Sequence, residues 1–182
     1  MQRMNALLLA GVLGVGVGPA MADQAVPYIG MDAFLWELDF DHVPDAEATG
    51  LRVRGGVEIN PYLAFEVHLA SGGSDRVTIS EPGFGRYDVD MELDYLAGVF
   101  GRGQIPLAER FQLYGLVGYS KAKFTFKALG GSFSDDDTGL SLGLGGQFLA
   151  TEHMFLSADY VLYLNKSDYD FDALSLGAGY RF

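Results

Sequence analysis

Cysteine is absent from the 182 residues. Disulfides, thiolate metal centres and lipid attached through a cysteine are therefore excluded. Positive charge is scarce: four lysines and eight arginines stand against 24 carboxylates, for a net charge of −12. A nucleic-acid partner would need a basic face and is not expected. Beyond residue 22 no uninterrupted apolar run approaches the ~18–20 residues of a spanning helix. What the chain does have is glycine (25 residues) and aromatics (13 Phe and 10 Tyr). That aromatic content is too high for a disordered acidic chain, and the length suits one domain.

Residues 1–22 have the form of a secretory signal peptide. Arg3 supplies a positive start, residues 6–17 an uncharged apolar run, and Ala20-Met21-Ala22 a small-x-small cleavage pattern. The run is too short, and too rich in glycine, to serve as a spanning anchor. Cleavage after Ala22 leaves one domain, residues 23–182, with 11 basic against 24 acidic residues and a net charge of −13. Export without a helical anchor leaves a periplasmic, a secreted or an outer-membrane protein.

The rest of the chain alternates apolar and polar residues with a period of two, the pattern of strands with unlike faces. It does so eight times. The apolar stripes are Phe34, Trp36, Leu38 and Phe40; Leu51, Val53, Val57 and Ile59; Leu63, Phe65, Val67 and Leu69; and Val89, Met91, Leu93, Tyr95, Ala97 and Val99. They continue with Phe111, Leu113, Val117 and Tyr119; Leu140, Leu142, Leu144 and Phe148; Leu156, Ala158, Tyr160, Leu162 and Leu164; and Leu174, Leu176, Ala178, Tyr180 and Phe182. Past Tyr119 the apolar phase moves to Phe124 and Phe126, opposite Lys123, Thr125 and Lys127, which predicts a bulge. Connections at 60–61, 101–109 and 151–153 alternate with longer, more acidic ones at 41–49, 71–86, 129–137 and 165–170. Turns at one end and loops at the other describe an up-and-down meander with both termini beside the turns.

Alternation alone does not say which stripe faces outward, since a soluble lipocalin-like barrel alternates too. The polar stripe here is mostly Gly, Ser, Ala and Gln with a few ions, whereas a water-facing stripe would carry many Lys and Glu. Small residues and ions suit the crowded lumen of an eight-stranded barrel. Tyr62, Tyr119, Phe148, Tyr180 and Phe182 fall towards strand ends on the apolar side, as interfacial girdles do. The predicted fold is all-β: an eight-stranded antiparallel up-and-down transmembrane β-barrel, closed because hydrocarbon leaves no backbone group a partner in solvent.

The segments Gly131-Ser132-Phe133-Ser134-Asp135-Asp136-Asp137-Thr138-Gly139 and Asp172-Ala173-Leu174-Ser175-Leu176-Gly177-Ala178-Gly179-Tyr180-Arg181-Phe182 resemble the small eight-stranded outer-membrane barrels of Gram-negative bacteria, the OmpA/OmpX-like and opacity-protein "porin family" group. The resemblance spans residues 23–182. It implies location in the bacterial outer membrane with periplasmic termini, and recognition of the terminal Tyr-x-Phe by the barrel-assembly machinery. Members range from structural anchors to adhesins to lipid-modifying enzymes, so no activity follows from the fold. A peptidoglycan-binding domain like that of OmpA is not expected after the barrel, nor therefore its tethering role.

The inward stripe would collect Glu37, Asp39, Glu58, Glu66, Asp88, Asp90, Glu92, Asp94 and Asp159 against Arg52, Arg54, Arg181 and His68. Ions away from water need partners. If the first two strands pair so that Asp39 faces Arg52 and Glu37 faces Arg54, and the next two so that Arg54 faces His68, an ionic ladder centred on Arg54 lies near the loop end. The alternative is that these ions lie in solvent at the rim. Eight strands leave no wide aqueous pore, so a plugged lumen is expected.

No catalytic, cofactor-binding or metal-binding residue is expected. None of the three histidines sits in a His-x-Ser pair of the kind a lipid deacylase would use. His42, Ser74 and Asp75 are the nearest approach to a hydrolytic set, and such loop residues are ordinary turn formers. Asp135-Asp136-Asp137 has hard oxygen ligands but not the spacing of a complete calcium loop. The function expected is a non-enzymatic outer-membrane barrel that supports envelope integrity and displays short acidic loops. The alternatives are a surface adhesion or immune-evasion protein, a narrow small-solute channel and a soluble periplasmic barrel. Expected partners are outer-membrane lipid and lipopolysaccharide, with divalent cations as candidates at the acidic loops.

Overall fold

The computed structural model describes residues 25–40, 43–81, 85–128, 131–167 and 169–182. The signal-peptide segment and His42 lie outside the described residues. The strands are β1 (Val26–Phe40), β2 (Val43–Asn60), β3 (Leu63–Ser71), β4 (Ser74–Glu81), β5 (Gly85–Ala108), β6 (Phe111–Ala128), β7 (Gly131–Leu149), β8 (Met154–Asn165) and β9 (Tyr169–Arg181). All neighbours are antiparallel, and pairing of β3 with β5 closes the order β3-β2-β1-β9-β8-β7-β6-β5 into a ring. β4 also pairs with β5 and occupies the same ring position as β3, so the barrel has eight positions.

The break between β3 and β4 is at Gly72 and Gly73, with φ of +92° and +87°. Side chains rarely adopt that backbone conformation. A Cβ on Gly73 would also lie 2.7 Å from the Trp36 indole nitrogen, so glycine is required there for both reasons.

Orientation follows from the two faces of each strand. Leu142 and Leu176 are about half exposed, at 52% and 53%, while their neighbours Ser141 and Ser175 are at 0% and 1%. The same holds for Leu51, Val53, Leu63, Phe65, Leu69, Val99, Leu113, Val117, Leu140, Leu144 and Leu156, all outward. Tyr62, Tyr119, Phe148, Tyr180 and Phe182 are exposed on this surface too, where the girdles were expected.

Towards the loop end the polarity inverts, and several expected positions are corrected. Phe34, Trp36, Leu38, Val89, Met91, Leu93, Phe124 and Leu164 are buried inside the barrel. On β1 the outward series Ile29, Met31 and Leu35 gives way to Glu37 and Asp39, while even positions from Tyr28 to Leu38 stay inward. On β5 and β8 register shifts, between Leu93 and Tyr95 and between Leu162 and Leu164, turn Val89, Met91, Leu93 and Leu164 inward. On β1 the alternation keeps its phase, but the outer solvent changes from lipid to water, so the apolar residues now belong inside. The apparent phase change at Phe124 has the same cause: β6 pairs with β7 without interruption from Phe111↔Phe148 to Ala128↔Gly131. The bulge is instead on β5, between Leu93 and Tyr95, which turns both Leu93 and Leu96 inward.

The expected loops are also largely strand. β2 begins at Val43, β4 lies within 71–86, β5 runs to Ala108 and β7 starts at Gly131. Among the described residues β7 pairs with β8 only from Leu142↔Leu162 to Leu149↔Phe155, whereas its ladder with β6 runs on to Gly131. The sheet β4–β7 therefore stands above the rest of the barrel. In β2–β3 the expected register holds, with Arg54 opposite His68. In β1–β2 it does not: Asp32, not Asp39, faces Arg52, and Glu37 faces Glu47.

Leu144 is the middle member of the outward series Leu140 to Phe148 on β7. Leu144→Arg is expected to lower unfolding stability by about 2–4 kcal/mol, the cost of an arginine on the lipid face near mid-bilayer. Urea titration in lipid vesicles, followed by fluorescence of the single tryptophan, measures it.

Candidate functional site: the sealed lumen

Six of the strands that line the barrel send charged or phenolic side chains into its turn-side half. β2 contributes Arg52 and Arg54, β3 Glu66 and His68, β5 Arg102, β1 Tyr28 and Asp32, β8 Asp159 and Tyr163, and β6 Tyr114; all are buried. Arg52 binds Asp159 in a two-pronged pair, both N–O distances 2.8 Å, the strongest geometry available to a guanidinium and a carboxylate. Its Nε donates to Asp32 at 2.9 Å and its Nη1 to the Tyr163 hydroxyl at 3.0 Å. Arg54 reaches Asp159 at 3.2 Å, Asp32 at 3.3 Å and the Tyr114 hydroxyl at 3.2 Å, and also donates to Ser157.

Arg102 completes the set. It donates to Glu66 at 3.1 Å and to Gln147 at 3.0 Å, and its guanidinium lies 3.7 Å from the centre of the Tyr114 ring, within cation–π range. Glu66 also accepts from Tyr28 and sits 2.6 Å from His68 Nε2. Three guanidiniums thus meet three carboxylates: Asp32, Glu66 and Asp159. With ions this deep, pairing matters more than the count, because an unpartnered one would carry the full cost of desolvation.

The expected network exists, but in the turn-side half rather than near the loops, because the β1–β2 register brings Asp32 to Arg52. Arg52, Arg54, Glu66, His68 and Asp159 join it. Glu58 and Arg181 pair separately, closer to the turns. Glu37, Asp39, Asp88, Asp90, Glu92 and Asp94 do not enter the lumen: they lie on the water-facing side of strands that have left the lipid belt. Asp32 and Arg102 escaped the sequence reading. Continuing the alternation of Ala97 and Val99 would have placed Phe100, Arg102 and Gln104 inward, and the louder Phe34, Trp36 and Leu38 masked Asp32.

Above the ions lies an aromatic layer. Phe124 packs edge-on against Phe171 at 4.9 Å between ring centres, and Trp36 touches both at 6.2 Å. The Trp36 indole N–H donates to the Gly72 carbonyl at 3.0 Å. Phe34, Phe100 and Tyr163 join this layer to the network through His68, which lies 4.4 Å from Phe100.

Outside, above the lipid belt, the collar is electrically lopsided. On the projecting sheet, Arg76 pairs with Asp90 at 2.7 Å, Lys127 with Glu92 at 2.7 Å, Lys123 with Asp94 at 3.7 Å, and Lys121 with Asp136. The Arg76 hydrogen bond holds the Asp90 carboxyl below the ordinary range. Across β2, β1 and β9, by contrast, Glu37 directly opposes both Glu47 and Asp172, and Asp39 opposes Asp170. Partial desolvation and the charges of Asp172 and Glu47 push the Glu37 carboxyl up.

Asp135-Asp136-Asp137 does not converge on one point. Asp136 faces outward to Lys121, while Asp137 turns in to Lys166 at 2.8 Å and accepts from Tyr169 at 2.7 Å. Among the described residues no group of three His, Cys, Asp or Glu is placed to hold a metal ion. Asp75 is engaged by the Glu47 backbone N–H at 3.1 Å, and His153 stacks on Tyr180 beside the turns.

The family model described as "Outer membrane protein beta-barrel domain" matches residues 6–182. Among curated proteins none matches the chain in sequence. Several solved structures share the fold. Ail, the attachment invasion locus protein of Yersinia pestis, is 24% identical over 87% of this chain and 99% of its own, with a TM-score of 0.65. Neisserial surface protein A is 18% identical over 86% and 97%, with a TM-score of 0.64. OprG of Pseudomonas aeruginosa is 16% identical over 86% and 95%, with a TM-score of 0.60.

Asp159→Leu leaves two buried arginines short of a partner and is expected to destabilise the barrel by about 3–5 kcal/mol, measured by urea unfolding. Glu37→Gln is expected to do the reverse at neutral pH, adding a few tenths of a kcal/mol by relieving like charges across the strands. A raised carboxyl pKa favours the fold when protonated, and that contribution is lost as pH rises through it. The advantage of the variant should therefore vanish on acidification below the ordinary carboxylate range.

Proposed function

The chain belongs to the outer-membrane beta-barrel protein family, and from that premise we propose that it is a non-enzymatic, non-conducting barrel that reinforces the outer membrane from within the lipid layer. The observation that carries this reading is the filling of the lumen. A charge-balanced network and an aromatic layer lie one above the other on the axis, and each is locked by packing across several strands. An eight-position ring has no spare width around them. Residues 1–22 direct export, and the turns and termini face the periplasm while the acidic collar and projecting sheet face outward. The terminal Tyr180 and Phe182 serve recognition by the assembly machinery.

Lipopolysaccharide is the partner that fits the exterior. Acyl chains meet the apolar belt, and phosphates at headgroup height meet the collar of Glu37, Glu47 and Asp172. Phosphate and carboxylate repel unless a divalent cation lies between them, so Mg²⁺ or Ca²⁺ shared with the lipid is part of the proposal. A surface-adhesion role is the second reading. It draws on the projecting sheet, where β7 has an edge not paired with β8 over residues 131–141 among the described residues, a place where another chain's strand could add.

Planar-bilayer recording of the refolded protein is expected to give no discrete conductance steps, and a reproducible unitary current would overturn the closed-barrel reading. In the host bacterium, deletion is expected to increase detergent sensitivity. That phenotype should be restored by the wild-type chain but not by Leu144→Arg, and mimicked in part by chelation of divalent cations. Purified membrane-inserted protein should begin at Asp23.

A further inference from the structure

At the loop-side mouth of the barrel is a cavity of about 130 Å³, lined by Leu38, Phe124, Phe126, Tyr169, Asp135 and Asp137. It rests on the aromatic layer, since Phe124 is also a partner of Trp36 and Phe171. A cavity of roughly 150 Å³ takes up a benzene-sized guest, so this one suits a compact group rather than an extended chain. Its wall is unusual for a site open to water: three aromatic rings and a leucine, none of which hydrates a guest well.

The charge at its rim decides which guest. Asp137 is already engaged, by the Lys166 ammonium at 2.8 Å and the Tyr169 hydroxyl at 2.7 Å, and Lys166 is further tied to the Thr138 carbonyl at 3.0 Å. Asp135 belongs to no ion pair among the described residues, and its Oδ1 accepts only the backbone N–H of Asp136 at 3.0 Å. Aromatic faces carry negative potential, and a carboxylate beside them adds to it. A cation bearing methyl groups satisfies both walls at once. A bare metal ion would not, because rings cannot replace its water and Asp137 is already neutralised by Lys166. A neutral hydrocarbon would leave Asp135 unanswered.

We propose that this mouth cavity binds a trimethylammonium group, with Phe124, Phe126 and Tyr169 around the methyls and Asp135 as counter-ion. Such a group occurs both in free choline-type solutes and in choline-bearing headgroups. The single tryptophan of the chain reports on the site, because Trp36 packs on Phe124.

The test uses the full barrel folded in octyl glucoside, which has no ammonium headgroup, with folding of every variant checked by heat-modifiable migration. Tetramethylammonium chloride is expected to give a saturable Trp36 fluorescence change that sodium chloride at equal ionic strength does not. Asp135→Asn and Phe126→Leu, the latter keeping apolar bulk without the ring, are each expected to weaken it about tenfold. An equal response to the neutral isostere 3,3-dimethylbutanol, or an unchanged affinity in Asp135→Asn, overturns the proposal, as does the absence of saturation. Choline and phosphocholine then separate the sources. Saturation by choline alone identifies a free cation, saturation by both identifies a headgroup, and silence of both overturns the assignment.

Discussion

A backbone amide placed in hydrocarbon has no water to bond to, so every peptide group along the apolar belt must find its partner in another strand. The β3–β5 pairing that closes the ring follows from this requirement, and with it the dimensions of everything inside. Eight positions enclose a space that side chains alone can fill. Whatever the strands turn inward is therefore sealed from both lipid and bulk water, and any ion among them has to be neutralised by another. The Arg52, Arg54 and Arg102 network with Asp32, Glu66 and Asp159 is the consequence of closure, not an addition to it.

The closed ring crosses two outer solvents, and this explains which parts of the structure were legible from residue order. Within the lipid belt the stripes of β2, β3, β7 and β9 were read correctly, because there apolar simply means outward. The same rule failed at Phe34, Trp36, Leu38 and Phe124, while at Leu93 a bulge in β5 reversed the face. Period-two alternation shows that two faces differ but is silent on where along a strand the outside changes from acyl chain to water. At that level apolar side chains exchange faces without any change of phase, and on β6 this imitates a bulge. A signal was present: Glu37 and Asp39 continue the outward series of Ile29, Met31 and Leu35, so the charges themselves mark where β1 leaves the membrane.

The network shows a second limit. Arg54 opposite His68 could be found because the β2–β3 turn at Asn60-Pro61 is short and fixes the register. The β1–β2 connection was expected to be a loop over 41–49, where β2 already begins at Val43, and the resulting error in register moved the expected partner of Arg52 from Asp32 to Asp39. The chemistry expected, arginines answered by carboxylates, survived the error because closure demands it whichever carboxylates supply it. The height in the barrel did not survive, because height depends on register alone.

Two layers fill the lumen, and their order has a physical reason. The loop-side mouth faces water, and a guanidinium–carboxylate pair loses much of its attraction where water can screen it. Phe34, Trp36, Phe124 and Phe171 lie between that water and Arg52. They hold the ionic layer in a region of low dielectric, where correctly paired charges attract strongly and unpaired ones are severely penalised. The same rings, by standing at the mouth, present an aromatic floor to the outside beside a carboxylate that is not committed to a lysine. Outside the barrel the opposite rule holds. There water tolerates the like-charged row of Glu47, Glu37 and Asp172, which could not exist one layer further in. The acidity of the chain is thus confined to the surfaces where counter-ions come from solution, while the interior is held close to neutral.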